Sequence, residues 1–184
     1  MEVGIIKIIN GSIDPVQEHF CVKCCYLKDG KLTYKPGIEN KYMTLSENKY
    51  YHSEKENLED TFKQFENSII FAHNAIYHMN ALNKELKFWG LNEIPIENFR
   101  CSMLIFLKII GRIDSSFENI DYISLDKCVE YFGDEIIKDE DLFLKTLYDS
   151  EMTALVINNL YQTIKENHRM FKDLYDNWKG NFKN

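Results

Sequence analysis

Residues 71–86 read FAHNAIYHMNALNKEL. A short apolar segment, "SIIFAHN" at 68–74, runs into them, and an apolar stripe leaves them. Met79, Leu82, Leu86 and Trp89 stand three, four and three residues apart, the spacing that puts side chains on one face of a helix. This predicts a buried strand, a turn at His73–Asn74, and a helix from about Ala75 to Trp89, ended by Gly90.

Working outward, "NFRCSMLIFLKII" (98–110) begins as a strand and turns into a helix. "SLDKCVEYFG" (124–133) reads as a helix with Ser124 as N-cap and Gly133 as its stop. Residues 138–167 form one long helix whose core face carries Leu144, Leu147, Tyr148, Leu155, Leu160 and Ile164. Toward the N-terminus, "NLEDTFKQFEN" (57–67) is a short helix with Leu58, Phe62 and Phe65 on one face, and residues 38–55 are an irregular polar loop with room for a short strand or turn. The first segment supplies three antiparallel strands: "VGIIKII", "HFCVKCCYL" and "KLTYKPG". Their turns lie at "NGSIDP" and "KDG".

The chain has 184 residues, of which 45% are hydrophobic, enough for one domain with an ordinary core. Its net charge of -7 disfavours a general nucleic-acid binder, which would show a basic face, although a local basic groove is compatible with that total. The five cysteines are odd in number and "MEVGIIKIING" lacks the features of a secretory leader, so a reduced, cytoplasmic setting is expected. No apolar run reaches membrane-spanning length. "CVKCC" contains a Cys-x-x-Cys spacing, but Cys101 and Cys128 stand alone, so a zinc site lacks its second pair and buried strand cysteines are the reading.

The segment 65–91, with its core "AHNAxYxMxxLNxEL", resembles the second motif region of the DnaQ-like (DEDDh) 3′-5′ exonucleases. "ISLDKCVEYFG" and "LKTLYDSEMTALVINNL" resemble the segment before that family's last helix and the helix itself. The resemblance spans roughly 1–160. It implies an α/β fold: a mixed five-stranded ribonuclease-H-like sheet, its first three strands antiparallel, flanked by helices. A domain over 1–164 and a C-terminal helical extension over 165–184 follow.

The resemblance also implies a site test. The family holds two divalent metals about 3.5–4 Å apart with four carboxylates, and a histidine serves as general base. With "SIDP" fixing the register, the two first-motif acids fall on Lys7 and Ile9, the second-motif aspartate on His78, and the last-helix histidine on Leu144. Only the final aspartate, Asp149, is kept. A lysine ammonium beside the metal position costs about 4 kcal/mol at about 4 Å and an effective dielectric of about 20. Lys7 either pairs with Asp149 in place of a metal or snorkels from a strand edge. His78 is either a ligand of the kind Mn²⁺ or Zn²⁺ accepts or a hydrogen-bonded structural residue, and His73 and Asn74 shape the strand-to-helix turn.

The expected function is therefore binding without cleavage. The partner is a protein component of a nucleic-acid-processing machine, and the chain acts as an inhibitor or adaptor of the kind phages and mobile elements encode. No cofactor is expected. One alternative is an active exonuclease with a rebuilt Mg²⁺ or Mn²⁺ site drawn from Glu18, His19, His78, Asp149 and Glu151. Another is a nucleic-acid-binding module that does not cut. In the tail, Phe171, Tyr175 and Trp178 lie among basic residues, where they either contact a partner or nucleic acid or pack a terminal helix on its own domain.

Overall fold

The computed structural model describes the backbone of residues 2–9, 12–21, 25–28, 31–34, 51–52, 59, 62–63, 65, 68–134 and 145–174. Side chains are described for those of these residues that lie within 59–134 and 148–174. The described chain is α/β.

Strand β1 (Glu2–Ile9) pairs antiparallel with β2 (Ser12–Cys21), and β3 (Cys25–Lys28) with β4 (Lys31–Tyr34). The β1–β2 ladder closes at Ile9 opposite Ser12, so "SIDP" lies within β2, where its residue types predict a turn. The ladder is interrupted where Lys7 faces the stretch 14–16: Ile6 pairs with Gln17 and Ile8 with Ile13. Pro15 accounts for the gap, since it has no N–H to give the ladder. Tyr51–His52 (β5) adds a short parallel rung to β2. "HFCVKCCYL" thus divides between the end of β2 and β3. Of residues 57–67, Phe62 is buried and its ring meets Phe65 at 5.3 Å, while Leu58 lies outside the described residues.

The second half is a βαβ unit followed by helices. β6 (Ile70–Ala72), α1 (Ala75–Phe88) and β7 (Phe99–Cys101) form a parallel pair joined by a crossover helix. α1 starts without a side-chain cap, because Asn74 turns into it with φ 58° in the left-handed region that Asn tolerates. It ends at Gly90 (φ 69°), where Gly90 N–H donates to the Lys87 carbonyl at 3.1 Å and Leu91 N–H to that of Leu86 at 2.9 Å, satisfying two terminal acceptors. Leu82 and Leu86 are buried as their spacing requires. Asn83, on the same helix, forms a two-way clamp on one residue of the return segment. Its amide donates to the Ile94 carbonyl (3.0 Å) and its Oδ1 accepts from Ile94 N–H (2.9 Å).

α2 (Ser102–Ile110) follows β7 without a break, then α3 (Leu125–Tyr131) and the long α4 (Lys145–Glu166). Ser124 caps α3 by accepting from Lys127 N–H, and Gly133 ends it at φ 78°. The buried face of α4 runs through Thr153, Val156, Ile157, Leu160 and Ile164, shifted from the predicted stripe, with Leu155 only half-buried. α4 packs on β1, β6, α2 and α3. Phe106 of α2 is fully buried and meets the rings of Phe117, Tyr131 and Phe132 at 5.4–5.9 Å. No helix among the described residues is long and apolar enough to cross a membrane.

Replacing Asn83 by Ala leaves the Ile94 N–H and carbonyl without their partner, each net bond being worth about 0.5–1.5 kcal/mol. Urea unfolding of Asn83→Ala is expected to show a loss of about 1–3 kcal/mol, whereas Lys84→Ala, one residue along on an exposed position, leaves stability within about 0.5 kcal/mol.

Candidate functional site

The parallel register decides what meets at the carboxyl ends of β6 and β7. Ala72 lies opposite Cys101, so the next residues, His73 and Ser102, are neighbours. His73 Nε2 lies 2.8 Å from the Ile123 carbonyl and therefore carries the proton and donates. Nδ1, 3.1 Å from Ser102 Oγ, is then the acceptor of the buried hydroxyl's proton. One imidazole thus ties the β6 turn to the start of α2 and to the segment that leads into α3. Burial lowers the His73 pKa, with His78 adding in the same direction, while the Ile123 carbonyl and Asp149 raise it. The sequence assigns His73 and Asn74 to the strand-to-helix turn. The positive φ of Asn74 is that turn, and the bracket made by His73 goes beyond it.

His78 stands one helical turn into α1, with its ring edge-on to Tyr77 at 5.5 Å. It is exposed by surface area, yet desolvation still lowers its pKa, opposed by the His73 main chain and by Asp149. Asp149, near the start of α4, acts electrostatically on both histidines. The structure therefore sets His78 within electrostatic range of Asp149, two of the residues singled out from the sequence. Beside them the phenol of Tyr148 is buried without a hydrogen-bond partner among the described residues. Its pKa is raised by burial first and then by the carboxylates of Asp126, Asp149 and Glu151. The neighbourhood is acidic.

The remaining candidates are placed by the backbone of the β1–β2 ladder. Lys7 sits at the interruption of the β1–β2 ladder, on the strand against which α4 packs. Ile9 is opposite Ser12, Glu18 opposite Ile5 and His19 opposite Gly4. The side chains of Lys7, Ile9, Glu18 and His19, and Leu144 altogether, lie outside the described residues. So do the side chains of Cys21, Cys24 and Cys25 and the whole of Tyr175 and Trp178. Phe171 corrects the partner-contact reading. It is fully buried against the α2–α4 core with the Arg112 guanidinium 5.7 Å from its ring centre, so it holds the tail down and offers no surface to a ligand. Its main chain is tied back to the end of α4 as well, since Phe171 N–H donates to the Asn167 carbonyl at 3.2 Å.

Among the described residues the donor set does not supply a two-metal centre. Both nitrogens of His73 are engaged by protein groups, which leaves one imidazole, His78, beside Asp149. Among the described residues no group of three or more His, Cys, Asp or Glu side chains is arranged to hold a metal ion. Hard divalent cations of the Mg²⁺ type take several oxygen ligands, more than this pair of side chains supplies. No protein-family model matches the chain, and no curated protein or solved structure is significantly similar to it.

Two outcomes follow from this geometry. With its folded pKa below the free value, His73 binds fewer protons folded than unfolded, so its bracket contributes fully above about pH 6.5 and loses value as pH falls below that. The stability difference between wild type and His73→Asn, from urea unfolding, is therefore expected to be smaller at pH 5.5 than at pH 7.5; an equal difference at both would remove the buried neutral imidazole. Burial pushes the Cys128 thiol up to about 12, which leaves about one thiolate in 10⁴ at pH 8. Iodoacetamide labelling read by peptide mass spectrometry is expected to spare Cys128 in the native chain and to modify it in 6 M guanidinium.

Proposed function

We propose that this chain has the ribonuclease-H-like architecture of the DnaQ-type exonucleases and works by binding a protein, without cutting nucleic acid. The resemblance carried by residues 65–91 is the ground for the family. The arrangement around α4 is compatible with it. That helix packs on both β1 and β6, as it would if those strands were neighbours in one mixed sheet with β2 and β7 outside them.

The observation that carries the loss of cleavage is the donor set at the β6–α1–α4 junction. Asp149 is the one family carboxylate kept, His78 stands where a second belongs, and His73 is committed to Ser102 and Ile123. The first-motif positions hold Lys7 and Ile9 in the sequence, so β1 brings no carboxylate in that register. In this reading the Lys7 ammonium takes the place of the cation and faces Asp149, supported by the packing of β1 on α4. The carboxylates of Asp126, Asp149 and Glu151 around Tyr148 make the junction repel phosphates, which argues against retained nucleic-acid binding there. The partner proposed is a protein component of a nucleic-acid-processing machine, which the chain would inhibit or adapt.

The test is degradation of 3′-labelled single- and double-stranded DNA and RNA with Mg²⁺ and Mn²⁺ in turn, by wild type and Asp149→Ala. Both proteins are expected to be inert. Cleavage by wild type that Asp149→Ala abolishes would overturn the reading in favour of a rebuilt metal site.

A further inference from the structure

A groove of about 280 Å³ runs between the first turns of α1, the strand β7 and α2. Its apolar walls are open to solvent: Ile76 is 65% exposed, Ile96 67% and Leu104 55%. Met79 and Phe99 deepen it. Exposed apolar side chains gathered in one concave place mark a contact surface, where scattered ones would not. Two cations, Arg100 and Lys108, also line the groove, and among the described residues no carboxylate does. In a chain of net charge -7 this is a local inversion of sign.

The Arg100 guanidinium is held in place. Its Nη1 donates to the main-chain carbonyls of Glu97 (2.6 Å) and Phe99 (2.9 Å), so the charge is fixed at the mouth of the groove. An occupant of such a lining is recognised by its side chains.

We infer that this groove is a docking site for a short acidic peptide segment of another protein, with aliphatic or aromatic anchors seated on Ile76, Ile96 and Leu104 and carboxylates paired with Arg100 and Lys108. This names a surface and a chemistry for the protein-binding reading above and rests on that reading. The charge selects the occupant. Acidic residues beside apolar anchors match a groove with two cations and no anion, and a predominantly aliphatic lining favours peptide side chains over the stacked bases that single-stranded nucleic acid needs.

The probe is a phage-displayed random peptide library panned on the full chain, with depletion on Leu104→Asp. Enriched peptides are synthesised with a fluorescent label and titrated by anisotropy. They are expected to combine Asp or Glu with Leu, Ile, Phe or Trp. Binding should fall by about tenfold or more on Leu104→Asp and on Ile96→Asp. The Arg100→Glu/Lys108→Glu variant should weaken the acidic peptides and take up their Lys-substituted versions. Circular dichroism of the variants checks that they fold, as the exposure of Leu104 and Ile96 predicts. Four results would overturn the inference: no enrichment over the depleted pool, equal binding by the variants, displacement of the peptides by an oligo-dT strand, or a wild-type dimer in sedimentation that Leu104→Asp dissolves. The two readings fail separately. Metal-dependent cutting with intact peptide binding removes the reading of an inert site and leaves the groove, whereas an inert chain that enriches no peptide does the reverse.

Discussion

The arrangement of the second half of the chain turns on one imidazole. His73 follows β6, and the parallel register sets it beside Ser102, the first residue of α2. With its Nε2 proton on the Ile123 carbonyl and its Nδ1 on the Ser102 hydroxyl, it joins the β6 turn, the start of α2 and the segment before α3. Both ring nitrogens are satisfied by protein groups, and partial burial lowers the pKa of the ring. The direction in which α1 leaves, through the left-handed Asn74, is fixed from the same place. That direction puts His78 within electrostatic range of Asp149. The junction of His78 and Asp149 is therefore organised by a residue whose own chemistry is used up in holding it.

Much of this was legible in the residues. The βαβ unit was legible because the apolar stripe of α1 has helical spacing and because Gly90 and Gly133 stand where left-handed backbone is needed. The Ser124 cap was legible because a hydroxyl before an apolar helix has one common use. The β1–β2 hairpin was misplaced, because "SIDP" carries turn residues and yet runs as strand; Pro15 interrupts the ladder without ending it. The burial of Phe171 was hidden because an aromatic residue among charges looks the same whether its helix is docked or free. The groove was hidden twice. Ile76 is an apolar residue at the start of an amphipathic helix although its side chain is 65% exposed, and α2 is apolar from Met103 to Leu107, so no periodicity separates Leu104 from the core residues Met103 and Phe106.

The two surfaces differ in sign and in use. The junction around Tyr148 gathers the carboxylates of Asp126, Asp149 and Glu151, with imidazoles for company. The groove beside α1 gathers Arg100 and Lys108 on an aliphatic floor. A nuclease needs carboxylates that converge on cations and a path for phosphates toward them. In this chain the acidic region has too few converging ligands among the described residues, and the basic region is built from other residues and lined for apolar contact.

Direct metal binding decides whether the junction of His78 and Asp149 holds a catalytic metal pair. Mn²⁺ titration of the full chain, followed by the loss of the free-ion electron paramagnetic resonance signal, is the measurement. No saturable uptake is expected at sub-millimolar Mn²⁺, with Asp149→Ala superimposing on wild type. Stoichiometric uptake of one or two ions that Asp149→Ala removes would contradict that expectation and restore a metal-dependent enzyme.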